Sequence, residues 1–146
     1  CTQYRHSVLE QPLLPGVVDY LDEAERRGVG LAVASSSPQN WVQGHLERLG
    51  LLKRFDVICT ADDVARTKPA PDLFLAALAG LGANATEAIG FVDSWGGVRA
   101  ARAAGVYVAM VPNPFTAQLG PVEVDLRLDS LEDISLDDLL KKVEAW

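Results

Sequence analysis

Two periodicities alternate along this chain. Near-continuous apolar runs rich in Val, Ile and Ala occupy Val29–Ser35, Phe55–Thr60, Ala88–Asp93, Val106–Val111 and Val124–Asp129. Runs with no polar face suit strands covered on both sides, as in parallel sheets. Between them the apolar positions recur at helical spacing. Gly16–Arg27 places Val17, Tyr20, Leu21 and Ala24 on one face. Pro38–Leu49 opens with Pro at an early helical position and a preceding Ser as cap candidate. Pro71–Leu81 carries Leu73, Phe74, Ala77, Leu78 and Leu81, Gly97–Ala104 is stopped by Gly105, and Leu136–Glu144 closes the chain. Strands alternating with helices predict an α/β fold, a Rossmann-like parallel sheet with helices on both faces and right-handed crossovers. Asn113–Thr116 and Leu119–Pro121 read as one loop with a short turn.

Composition narrows the reading. The 146 residues fit one domain able to bury a sizeable core, with 49% hydrophobic and 23% charged residues. A net charge of −7 argues against a sequence-independent grip on nucleic acid, which needs a basic face. No apolar run approaches the roughly 20 residues that span a bilayer, so no membrane partner is expected. Two cysteines, Cys1 and Cys59, do not make a disulfide framework, and Cys59 in an apolar run reads as a small buried hydrophobe. A cytoplasmic setting is the simplest expectation. The only methionine is Met110, so Cys1 is not a natural translation start and the chain reads as a piece of a longer one.

In parallel sheets, ligands sit beyond the carboxyl ends of the strands. Three polar positions are expected there. Ser35 ends an apolar run and is followed by Ser36, Ser37 and Pro38. A hydroxyl with backbone N–H groups at a helix start holds a phosphate oxygen, and the same residues also serve as a helix cap. Lys68 precedes Pro69, which pushes it to an extended conformation and fixes where the ammonium points. Asp93 follows another apolar run and opens the turn Ser-Trp-Gly-Gly. Its carboxylate suits either a Mg2+ ligand or the N-cap of the following helix. His6 and His45 lack metal-ligand spacing and read as helix-surface residues. The acids between Asp129 and Asp138 read as a solvated face, since they lack the alternation and central Gly of a calcium loop. Trp41 at helical spacing reads as packing; Trp95 stands in a candidate site loop.

The segments Leu31–Pro38, Thr67-Lys-Pro-Ala-Pro-Asp72 and Gly90–Gly97, in that order, resemble the second, third and fourth motifs of the haloacid dehalogenase (HAD) superfamily. The run Asp93 to Gly105 is the most specific match, and Pro12–Leu21 is similar to the segment where such enzymes return from cap to core. The likeness is to the β-phosphoglucomutase-like phosphatase branch and covers about Pro12 to Leu140. It implies phosphate monoester hydrolysis or transfer through an aspartyl-phosphate, with a small phosphorylated metabolite as substrate and Mg2+ as cofactor. Ser35, Ser36, Ser37 and Lys68 would bind the phosphoryl group, Ser35 and Lys68 being the catalytic pair, and Asp93 would hold the metal.

Two departures qualify the resemblance. The family's first motif is a strand ending in Asp-x-Asp, yet here no aspartate is followed two residues later by another. Val92 stands where the branch usually has a second acid. The chain therefore reads as a single HAD-like core domain, 1–146, lacking its first strand, nucleophile and cap, with residues 1–11 a remnant of the cap return. The missing strand belongs mid-sheet, between the runs ending in Ser35 and Asp93. The gap is expected to be closed by a second chain, by a missing segment, or by direct pairing of those two strands. The alternative is a non-catalytic HAD-like module that binds a phosphorylated ligand or a partner protein.

Overall fold

The computed structural model describes residues 6–9, 16–68, 70–111, 124–128, 132 and 134–144. Six strands form one parallel sheet: β1 (His6–Leu9), β2 (Gly30–Ala34), β3 (Val57–Cys59), β4 (Ala88–Val92), β5 (Tyr107–Met110) and β6 (Leu126–Arg127), in the order β3-β2-β1-β4-β5-β6. Among the described residues five α-helices accompany them: α1 (Val17–Arg27), α2 (Gln39–Arg48), α3 (Asp72–Leu81), α4 (Trp95–Ala104) and α5 (Leu136–Glu144).

The apolar runs sort by parity. Leu31 and Val33 of β2, Ile89 and Phe91 of β4, and Leu9 of β1 face one core, which α1, α2 and α5 close with Tyr20, Leu21, Leu46 and Leu139. Ala32, Ala34, Ala88, Val92, Val8 and Met110 face a second core, closed by Leu73, Phe74, Ala77 and Leu78 of α3 and by Val98 and Ala101 of α4. Successive strand residues point to opposite faces, so a strand between two helical layers must be apolar throughout. Each fully buried Leu, Phe or Val contributes about 1.5–3 kcal/mol. The expected face of α1, namely Val17, Tyr20, Leu21 and Ala24, is buried. Tyr20 packs edge-on against Phe91, at 5.7 Å between ring centroids.

The centre of the sheet departs from the sequence reading. The slot between β2 and β4 is not open, and those two strands do not pair with each other. His6–Leu9 fills it and pairs in parallel with both, so Leu9 shares a rung with Val33 on one side and Phe91 on the other. No second chain is required to satisfy either edge. The short, partly polar run His-Ser-Val-Leu carries no strand signal of its own, but two flanking ladders satisfy its backbone groups. His6 is thus a strand residue, not a helix-surface one, and its buried Nδ1 has no hydrogen-bond partner among the described residues.

Element ends shift by smaller amounts. The strand expected over Phe55–Thr60 is regular only over Val57–Cys59, because Leu52–Arg54 and Ala61–Asp63 form 3-10 turns beside it. Within the described part of the run expected over Val124–Asp129, the strand is Leu126–Arg127. Helix α4 begins at Trp95, two residues early, and ends at Gly105, whose φ of 85° admits the left-handed cap. The loop expected over Asn113–Pro121 lies outside the described residues.

Candidate phosphate-binding site

Two strand ends and one loop meet at the carboxyl edge of the sheet. Ser35 follows the last residue of β2, and Asp93 follows the last residue of β4. Each stands two residues past the rung shared by Val33, Leu9 and Phe91, one on either side of β1. Two strand spacings therefore separate their backbones, roughly 10 Å. Strand order reverses at this point of the sheet, where the connections leave β1 and β4 toward opposite sides. That crevice is the usual ligand position in open α/β sheets.

Lys68 bridges the crevice from a third direction. Its Nζ donates to the carbonyl of Ala34 at 2.5 Å, one residue before Ser35. The ammonium lies 5.7 Å from the centroid of the Phe74 ring, a cation–π distance. The start of α4 abuts the same side chain, since a Cβ placed on Gly96 would lie 3.6 Å from Lys68 Cβ. Its loop is closed at the base by Arg66, which donates to both Asp72 carboxylate oxygens at 3.0 and 3.4 Å.

The competing cap roles fall to other residues. Helix α2 has Pro38 at its N-cap with no side-chain cap, and the Gln39 N–H donates to Asp62 Oδ2 at 2.9 Å. The serines preceding α2 therefore do not cap it. Ser35 is buried, its N–H donates to the Cys59 carbonyl at 3.0 Å, and its Oγ accepts from the Ser37 N–H at 3.2 Å. A hydroxyl that accepts in this way keeps its own proton to donate to an anion. Likewise Ser94, and not Asp93, caps α4, accepting from the Gly97 N–H at 3.0 Å. Asp93 stands half-buried at the strand end, with Trp95 in the first turn of α4 beside it.

Mg2+ takes hard oxygen ligands in a near-octahedral shell. Among the described residues no three His, Cys, Asp or Glu side chains gather to hold a metal. Val92 is fully buried in the second core and offers no oxygen ligand. Asp93 offers one oxygen ligand, and the described residues alone do not complete a Mg2+ centre.

Other candidates resolve to structure. Trp41 is exposed and meets His45 edge-on at 4.2 Å between ring centroids, so it is not a packing residue. Cys59 is buried, as expected, and burial followed by the neighbouring Asp63 pushes its thiol pKa up. A cavity of about 340 Å3 opens at the opposite, amino edge of the sheet, between Gly28, Leu31 and Arg54. Its polar groups hold the fold: Arg54 pairs with Asp22 at 2.6 Å and Asp56 accepts from the Leu31 N–H at 2.9 Å. Among the described residues no helix is long and apolar enough to cross a membrane.

The sequence model of the haloacid dehalogenase-like hydrolases matches residues 1–111. The chain belongs to that family. It is 44% identical over 131 residues to YhcW of Bacillus subtilis (strain 168), covering 90% of this chain and 60% of that protein. The crystal structure of CbbY from Rhodobacter sphaeroides in complex with phosphate superposes with a TM-score of 0.76 at 35% identity, over 80% of this chain and 53% of that one. β-Phosphoglucomutase from Clostridium difficile gives 0.79 at 25% identity, over 94% and 59%. This HAD core thus spans little more than half the length of the relatives it matches. These likenesses agree with the α/β parallel sheet and the phosphatase-like family read from the three motifs.

Proposed function

We propose that this chain forms the phosphoryl-transfer core of a phosphatase or phosphomutase acting on a small phosphorylated metabolite. One observation carries the reading: the Lys68 ammonium is held against the Ala34 carbonyl, beside Ser35 and the first turn of α4. A cation and a hydroxyl donor thereby converge at the crevice where a phosphoryl group would sit. Solved relatives support the same class, one holding phosphate and another named a β-phosphoglucomutase.

In this reading the Ser35 hydroxyl and the Ser36–Ser37 loop bind the phosphoryl oxygens. Lys68 neutralises charge that develops during transfer, the electrostatic contribution that dominates such reactions. Asp93 would hold Mg2+ through its carboxylate, and the metal when bound would neutralise phosphoryl charge. These residues hold no Asp-x-Asp, so in this reading the attacking aspartate would have to come from outside them.

The test compares two proteins. The 146-residue chain is expected not to hydrolyse p-nitrophenyl phosphate. The complete protein is expected to do so with Mg2+, and to lose that activity in Asp93→Asn. Mg2+-dependent turnover by the 146-residue chain would place the nucleophile within it. A complete protein that binds inorganic phosphate but never turns over would favour the non-catalytic module.

A further inference from the structure

The stretch Ser35–Gln39 is tied to the stretch Cys59–Asp62 at three points. The Ser35 N–H donates to the Cys59 carbonyl at 3.0 Å, and the Ala61 N–H donates to the Ser37 carbonyl at 3.1 Å. The third tie is the bond from the Gln39 N–H to Asp62 Oδ2 at 2.9 Å. The first two are main chain to main chain and survive any side-chain change. The third depends on one carboxylate.

Local chemistry explains why a remote carboxylate is needed. Pro38 occupies the N-cap of α2 in extended conformation, φ −63° and ψ 152°, and its ring has no acceptor to offer. The first-turn N–H of Gln39 takes its oxygen from another element. Asp62 is well mounted to provide it. Its 3-10 turn, Ala61–Asp63, is closed by a capping box in which Asp63 Oδ2 accepts from both the N–H and the hydroxyl of Thr60, at 2.8 and 3.2 Å. Thr60 itself is fully buried.

We propose that Asp62 is a positioning residue for phosphate binding: its carboxylate holds the first turn of α2, and with it the Ser36–Ser37 peptide, in the place from which Ser35 and its loop meet the anion. The proposal rests on the phosphate-binding reading above. Asp62 acts through Gln39 and the loop and touches no reacting atom. What matters is the accepting oxygen, not the charge, because a second negative group beside an anion site offers no attraction of its own.

Three variants of the complete protein separate the possibilities, with inorganic phosphate as the probe. Asp62→Ala is expected to weaken phosphate binding roughly three- to tenfold, the effect of one lost helix cap, and to speed hydrogen exchange at the Gln39 amide. Asp62→Asn, whose amide oxygen still accepts, is expected to bind within about twofold of the natural protein and to protect that amide. Ser35→Ala serves as the control on the site itself. If Ser35→Ala leaves phosphate binding unchanged, the underlying reading falls. If Ser35→Ala weakens binding but Asp62→Ala does not, the Asp62 proposal alone falls. If Asp62→Asn is as weak as Asp62→Ala, the carboxylate acts through its charge and the positioning role is wrong.

Discussion

Lys68 Nζ and the Ala34 carbonyl oxygen lie 2.5 Å apart, joining positions 34 residues distant in sequence. The bond fixes the ammonium beside the carboxyl end of β2, where Ser35 begins its loop. The ammonium also sits over the Phe74 ring, whose face favours the cation.

Lys68→Met in the complete protein is therefore expected to reduce turnover of p-nitrophenyl phosphate by about 100-fold or more. Lys68→Arg should not restore it, since a planar guanidinium fork does not replace the compact ammonium that reaches the Ala34 carbonyl. Steady-state kinetics check this, with circular dichroism to confirm the fold. Retention of most activity in Lys68→Met would remove Lys68 from the chemistry.

Arg66 and Asp72 close the base of the loop that carries Lys68. Arg66 is largely exposed, so the pair is worth under about 1 kcal/mol to the fold. Arg66→Ala should accordingly shift the denaturation midpoint little, yet lower turnover several-fold by loosening the loop. Equal losses in stability and activity would point to an ordinary surface pair.

Gly90 of β4 lies against the Phe74 ring of α3. A Cβ there would meet Phe74 Cε1 at 3.1 Å and Val106 Cγ2 at 3.2 Å. Phe74 is fully buried and cannot retreat. Gly90→Ala is expected to destabilise the domain by about 1–3 kcal/mol through overpacking, measured by urea denaturation. An unchanged midpoint would show that α3 can move off the sheet.

Two buried groups set the alkaline limit. Burial, followed by Glu23, raises the Tyr20 pKa, and the hydroxyl donates to the Ile134 carbonyl at 2.8 Å. Burial likewise raises that of Cys59. Below their ordinary values both groups are protonated in folded and unfolded chains alike, so stability there is independent of their titration. Above those values, near pH 8.5 for a thiol and 10 for a phenol, the unfolded chain has released the proton and the folded one has not. Stability must then fall as pH rises. Thermal melts from pH 7 to 11 should show the decline, shallower above about pH 10 in Tyr20→Phe. Iodoacetamide should leave Cys59 unmodified until the protein unfolds. Rapid labelling of the native chain at neutral pH would contradict the burial argument.

Much of the fold was legible in sequence because its signals are local. β2, β4 and β5 announce themselves as apolar runs, since both faces of each strand meet a helical layer. The buried stripe of α1 follows from spacing alone, and Ser35, Lys68 and Asp93 stand out because they interrupt or end those patterns. β1 was not legible. His6–Leu9 is short and half polar, and it is a strand because β2 and β4 present two open ladders to it. The Gln39 N–H could not be matched to Asp62, 23 residues away, nor Lys68 to the Ala34 carbonyl, because neither partner shares a helix turn or a strand with the other. Periodicity reports which face of an element is buried. Which elements lie side by side, and so which donor finds which acceptor, is decided only when the chain closes on itself and buried backbone groups must all be paired.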